Sequence, residues 1–306
     1  MNSAERILVP LDGSELSQRA LPAAYALSRA LSRELVLVIV WGGVGLEYEW
    51  AVPDDKSRDL RSSALEGLRE YVETIRSAAL ADECPTVTTD VREGDPAGEI
   101  LAAAGEHQCG LIVMTTHAGR GLSGLLMGSV ADRVSRHSPI PVLLVRPEAR
   151  VKVSEFQPRQ IVVPLDGSER AESAMGMAKQ LSNAFEAKLL VVRAVPWLHS
   201  YFELPGAVVP RNSEELDWEA VTEADAYLRG VTERYGPVET SVVRGRSAQA
   251  VTEFVRAAGA DLVVMTSHGR GGIARWVLGS VSRHLLVSTG RPVLMVPLAA
   301  TEEDGT

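Results

Sequence analysis

Two short patterns in this chain carry residue types suited to holding a small anion, and each occurs twice. The stretch 115-TTHAGRGLSGLLMGS-129 contains GRGLSG, which fits the G-x-G-x-x-G fingerprint of dinucleotide-binding turns. The stretch 266-TSHGRGGIARWVLGS-280 repeats it in the looser form GRGGIA. Glycines at such spacing let a phosphate approach the backbone closely, because no Cβ stands in the way. The second pattern is Pro-Leu-Asp-Gly-Ser, at 10–14 and again at 164–168.

Asp12 and Asp166 admit two readings. Their carboxylates or backbone edges could contact a ribose or base. Equally, Asp-Gly-Ser is good turn chemistry, with Ser14 or Ser168 capping the helix that follows. The pairs Gly128-Ser129 and Gly279-Ser280 each open a helix, with Ser129 and Ser280 as candidate N-caps. A helix start presents free N–H groups and a partial positive charge, which favour phosphate. Glycine-rich loops, 119–124 and 269–272, precede them and carry Arg120 and Arg270. Loop, helix start and arginine together make a sensible phosphate cradle. His117 and His268 occupy equivalent places but lack metal-ligand partners or a nucleophile, so they read as loop histidines bonded to backbone.

These motifs need a frame, and the frame is duplicated. 6-RILVPLDGSELSQRA-20 matches 160-QIVVPLDGSERAESA-174, and 110-GLIVMTTHAGR-120 matches 260-ADLVVMTSHGR-270. The distance from Asp12 to Asp166 is 154 positions and from Gly128 to Gly279 is 151, which is domain size rather than solenoid size. The expected domains are 1–148 and 158–300, joined by the polar linker 149–157.

Each half alternates strands and helices. The first predicts strands near 6–11, 35–41, 86–92, 110–115 and 141–146, with helices near 14–31, 56–80, 96–106 and 129–137. The second predicts strands near 160–165, 188–195, 238–244, 261–266 and 292–297. Continuous apolar runs such as ILVPL and LVLVIV suit a parallel sheet covered on both faces. The expected class is α/β: two tandem, open, doubly wound, Rossmann-like five-stranded sheets of order 3-2-1-4-5. A ligand would then sit beyond strands one and four, where the order reverses and both motifs meet.

That placement removes the dinucleotide reading. The fingerprint should follow strand one, with an acidic residue about twenty positions on. Here it follows strand four, and 142-VLLVRP-147 brings Arg146 instead of an acid. No Walker A motif occurs, and neither NAD nor FAD is expected. The two cysteines, Cys84 and Cys109, form no C-x-x-C pair, which argues against a zinc site and fits a reducing cytoplasm. A net charge of −9 and 5% aromatic residues argue against nucleic acid and anionic membrane as partners. The longest apolar run, 35-LVLVIVW-41, is too short to span a bilayer.

The strand-one PLDGS, the strand-four segment closing in Gly-Ser, and the final PVLLV or PVLMV together resemble the universal stress protein family, once per half. Nucleotide-binding members of that family carry G-x2-G-x9-G-[ST]. The matches here are Thr115-x2-Ala118-x9-Gly128-Ser129 and Thr266-x2-Gly269-x9-Gly279-Ser280, so the first glycine is threonine in both. A threonine Cβ would crowd a phosphate unless the local φ is negative; its hydroxyl could instead donate to one. The resemblance implies adenine and ribose contacts at Pro10, Leu11, Asp12 and Val40, with phosphate contacts at Thr115, Thr116, His117, Ala118, Gly128, Ser129 and Val130. The second-half equivalents are Pro164, Leu165, Asp166 and Ala194, then Thr266, Ser267, His268, Gly269, Gly279, Ser280 and Val281. Gly269 makes the second half the better candidate.

The implied ligand is ATP, with or without magnesium, bound by a cytoplasmic stress-response regulator rather than a fast catalyst. A slow ATP hydrolase using Asp12 and Asp166, and a non-nucleotide interaction module, are the competing readings. The resemblance also implies self-association, a pseudo-two-fold pairing of the halves through 141-PVLLV-145 and 292-PVLMV-296. Loops 42–55 and 196–213 could cover the sites, with Trp50 and Trp197 as anchors or as packing residues.

Overall fold

The computed structural model describes residues 6–42, 54–116, 127–146, 156–197, 213–266 and 280–298. They belong to two compact units, Met1–Phe156 and Gln157–Thr306. The first unit contains β1 (Arg6–Leu11), α1 (Glu15–Gln18), α2 (Leu21–Leu31), β2 (Glu34–Trp41), α3 (Asp54–Ala81), β3 (Val87–Glu93), α4 (Pro96–Glu106), β4 (Cys109–Thr115), α5 (Ser129–His137) and β5 (Val142–Val145). Its strands lie in the order β3-β2-β1-β4-β5, with parallel pairing throughout.

The second unit repeats this plan with β6 (Gln160–Leu165), α6 (Glu169–Glu172), α7 (Ala174–Phe185), β7 (Lys188–Val195), α8 (Ser213–Tyr235), β8 (Glu239–Arg244), α9 (Ser247–Ala257), β9 (Leu262–Thr266), α10 (Ser280–Ser288) and β10 (Val293–Val296). The order is β8-β7-β6-β9-β10, again parallel. Both units are therefore doubly wound sheets with the reversal between their first and fourth strands.

Burial explains the apolar runs. Ile7, Leu8 and Val9 of β1, Leu35 to Val38 of β2, and Ile112 and Val113 of β4 are 0% exposed. Strands covered by helices on both faces need apolar residues at successive positions, not at alternate ones. The outer strand β3 differs: its sequence VTTDVRE is mostly half-buried. Its Arg92 donates to Asp90 at 2.7 Å and also meets Glu99 and Glu106, the latter two on α4. His107 Nε2 lies 2.9 Å from the same Asp90 carboxylate.

One expected element is divided. The single helix near 14–31 is two, α1 and α2, with a break at Arg19 and Ala20. Pro22 in the first turn of α2 fits such a break. The second unit breaks at the same point, between α6 and α7, without a proline. What the two share is a tight turn with i→i−3 bonds, Ala20 N to Ser17 O at 3.2 Å and Ser173 N to Arg170 O at 3.3 Å. Among the described residues, no helix is long and apolar enough to cross a membrane.

Because Leu37 is completely buried in the middle of β2, Leu37→Ala should destabilise the first unit by roughly 2–5 kcal/mol. Urea denaturation of the full chain measures this; a loss below about 1 kcal/mol would contradict the packing described.

Candidate functional site

The site begins with two central strands that part. β1 pairs with β4 only from Arg6↔Cys109 to Leu8↔Ile112. Yet β1 stays on β2 as far as Leu11↔Ile39, and β4 stays on β5 as far as Thr115↔Val145. In the second unit the ladder from β6 to β9 covers Ile161↔Leu262 and Val162↔Val263, while β6 continues along β7 to Leu165↔Arg193. Pro10 and Pro164 lie just beyond these points and have no N–H to donate, so they suit a place where a ladder ends. In each unit the first and fourth strands thus part toward their carboxyl ends, the place where a doubly wound sheet offers a ligand crevice.

One lip of the crevice is the Asp-Gly-Ser turn. Asp12 Oδ1 accepts from Ser14 N at 3.0 Å and from Ser14 Oγ at 2.6 Å. Ser14 Oγ in turn accepts from Ser17 N at 3.1 Å and so caps α1. Gly13 adopts φ +81, the left-handed value that the turn requires. The second unit repeats the set: Asp166 Oδ1 accepts from Ser168 N and Oγ at 3.0 and 2.6 Å, Ser168 caps α6 through Ala171 N, and Gly167 has φ +90. Of the two readings of the aspartates, the turn reading describes their side-chain bonds. Asp12 is exposed and Asp166 half-buried.

The other lip follows β4. Thr116 N donates to Val145 O at 3.0 Å, and Thr116 O accepts from Gly128 N at 2.7 Å. These bonds bring the end of β4 against the start of α5. The N-cap of α5 is Gly128, at φ −61 and ψ 149, and not Ser129, which is already the first helical residue. The same correction holds for Ser280, the first residue of α10. No side chain caps α5. Its first N–H groups, at Ser129, Val130 and Ala131, have no carbonyl partner within the helix. Arg136 answers the only acid of the first turn, Asp132, at 2.8 Å, which leaves the positive end of the helix dipole little opposed.

Thr115 and Thr266 end their strands with 6% exposure each, and Thr116 has 2%. Neither Thr115 nor Thr266 adopts a positive φ. The missing glycines are therefore not needed for backbone conformation. The threonine side chains are buried. Val40 and Ala194 are half-buried, next to last in β2 and β7, and Leu11 and Leu165 are buried. Pro10 is buried, Pro164 half-buried, and Val130 and Val281 are half-buried in the first turns of α5 and α10. His117, Ala118, Arg120, Ser267, His268, Gly269, Arg270 and Gly279 lie outside the described residues, as does Trp50. Trp197 is 45% exposed. Among the described residues, no group of three or more His, Cys, Asp or Glu is placed to hold a metal ion.

Sequence reasoning missed a set of side chains beneath the turns. In the first unit Gln18 donates to the Tyr71 hydroxyl at 3.1 Å. In the second, Arg193 is 6% exposed and bonds Glu223 at 3.0 Å, with its guanidinium over the Tyr227 ring at 4.9 Å. Glu172, 7% exposed, takes Arg234 Nη2 and Nε at 2.7 and 3.2 Å. Burial raises the Tyr71 phenol above its usual range, and burial together with the Glu172 carboxylate does so at Tyr227. The available signal was a charge, Arg193, inside the apolar run 188-KLLVVRAV-195.

Comparison with known proteins gives a consistent picture. The model of the Universal stress protein family matches residues 3–146 and again 158–297. Universal stress protein Rv2005c of Mycobacterium tuberculosis is 28% identical over 303 residues, covering 94% of this chain and 96% of that protein. Among solved structures, a universal stress protein from Archaeoglobus fulgidus superposes with a TM-score of 0.68 at 21% identity, covering 96% of this chain and 99% of the other. A functionally unknown protein, PA1789 of Pseudomonas aeruginosa, gives a TM-score of 0.69 at 17% identity, with coverage of 97% and 93%.

The two turns should respond differently to the same substitution. A Cβ on Gly13 meets nothing within 4 Å, whereas one on Gly167 would lie 3.0 Å from Cζ and Nη2 of Arg193. Gly13→Ala should cost about 1–2 kcal/mol, the strain of a left-handed non-glycine residue. Gly167→Ala should cost more, since the pinned guanidinium must also move. Equal losses in chemical denaturation of the two variants would contradict this.

Proposed function

The chain belongs to the universal stress protein family, and on that premise we propose that each half binds an adenine nucleotide, ATP, in the crevice between its first and fourth strands. The observation that carries the reading is the start of α5: a glycine N-cap with no side-chain cap, bonded to the end of β4 where β1 and β4 have parted. Such a helix start offers N–H donors and a positive dipole end to a phosphate. The first turn of α5, at Ser129 and Val130, would hold the phosphates. Pro10, Leu11, Asp12 and Val40 would line the adenosine, with the Asp12 turn as the ribose lip. Pro164, Leu165, Asp166, Ala194, Ser280 and Val281 would act alike in the second half, together with Gly279.

The same reading makes the protein a cytoplasmic regulator that senses nucleotide. Magnesium, where present, would arrive on the phosphates. Hydrolysis is the weaker alternative, because Oδ1 of Asp12 and of Asp166 already accepts two bonds within its own turn. Self-association through the last strand of each half is part of the proposal.

Freshly purified protein, denatured and chromatographed, should release two adenine nucleotides per chain; none, with no uptake of ATP at millimolar concentration, would favour an interaction module instead. Gly128→Asp gives a sharper test. Its φ of −61 suits any residue, and aspartate is a strong N-cap. Melting temperature should hold or rise while the first crevice loses ATP affinity by roughly tenfold or more, since the carboxylate opposes phosphate.

A further inference from the structure

The two crevices share one scaffold but differ beneath the strand-one turn. Arg193 occupies the β7 position paired with Leu165, the last residue of β6. The equivalent position in β2, paired with Leu11, is Ile39. The Arg193 guanidinium fills the space under Gly167: a Cβ there would be 3.0 Å from Cζ and from Nη2. Its plane also rests over the ring of Tyr227 at 4.9 Å, and Nη2 bonds Glu223 at 3.0 Å. The guanidinium is thus held between the turn and α8. A second tie lies a few residues on, where Glu172 at the end of α6 grips Arg234 of α8. In the first unit nothing stands within 4 Å of a Cβ on Gly13. There Gln18, at the end of α1, donates to Tyr71 of α3.

A binding loop that is already held in place loses less freedom when its ligand arrives. We propose that Arg193 is a positioning residue that presets the Asp166–Gly167–Ser168 turn, and that it makes the second crevice the tighter of two unequal nucleotide sites. The inference rests on the nucleotide reading above. Arg193 does not touch the ligand; it acts through the turn, and it ties the conformation of that turn to α8.

The experiment titrates a fluorescent ATP analogue into the full chain. Wild type should show two affinities, and Gly128→Asp should remove the weaker one. In the Gly128→Asp background, Arg193→Ile should weaken the remaining site about tenfold, mainly through faster release. Arg193→Lys, which keeps the charge but not the planar stack, should fall between. In the ligand-free protein, Arg193→Ile should speed hydrogen exchange at the Ser168 and Ala171 amides. A merely structural role would lower the melting temperature and leave affinity, measured well below melting, unchanged. If Arg193→Ile unfolds the second half, Tyr227→Leu carries the test: it should weaken the second site, and Tyr227→Phe, which keeps the ring face, should not. Equal affinities in wild type, or a second site indifferent to Arg193→Ile and Tyr227→Leu, overturn this inference alone. A wild-type chain that takes up no analogue overturns the nucleotide reading with it.

Discussion

Everything at the site depends on a ladder that stops early. A parallel sheet buried on both faces must pair its backbone groups, because each buried group left without a partner is costly. The first and fourth strands break that rule together, after Leu8 in one unit and after Val162 in the other. Two features let them. Proline removes a donor just beyond the break, and the Asp-Gly-Ser turn provides its own side-chain acceptors. Beyond the break the two strands no longer share a ladder, and each continues along its outer neighbour.

Duplication kept these features and varied what lies under them. The first unit supports its turn with a neutral contact, Gln18 to Tyr71. The second uses charge: Arg193 with Glu223, and Glu172 with Arg234. A buried guanidinium is destabilising on its own and is tolerated when paired and covered. Here the Tyr227 face, the Glu223 carboxylate and the glycine turn supply that cover. The one glycine that the turn needs for its φ is also the one residue small enough to admit the guanidinium. Backbone conformation and side-chain packing therefore constrain Gly167 together, whereas only conformation constrains Gly13.

Much of the frame was legible from residue pattern. Apolar runs such as LVLVIV located the strands, and the repeat of PLDGS and Gly-Ser located the reversal point. Less was legible where one residue type serves two purposes. Asp12 looked equally like a ligand contact or a turn residue, and its bonds belong to the turn. Ser129 looked like an N-cap by type, but Gly128 holds that position because its N–H and carbonyl are used by Thr116 and Asp132. Thr115 looked like an obstacle where glycine was expected; as the last residue of a buried strand it needs no special φ. Arg193 was passed over because a strand assignment rests on the average of its residues, and one arginine hardly changes that average.

The charged outer strand has a consequence for the protein in bulk. The end strand of a sheet presents unpaired backbone groups, and a flat apolar one invites another chain to join it. β3 instead carries Arg92 clasped by Asp90, Glu99 and Glu106, with His107 on the same Asp90. A chain docking there would have to displace several coupled charges at once. That edge thus opposes the strand addition that a flat, apolar end strand would invite.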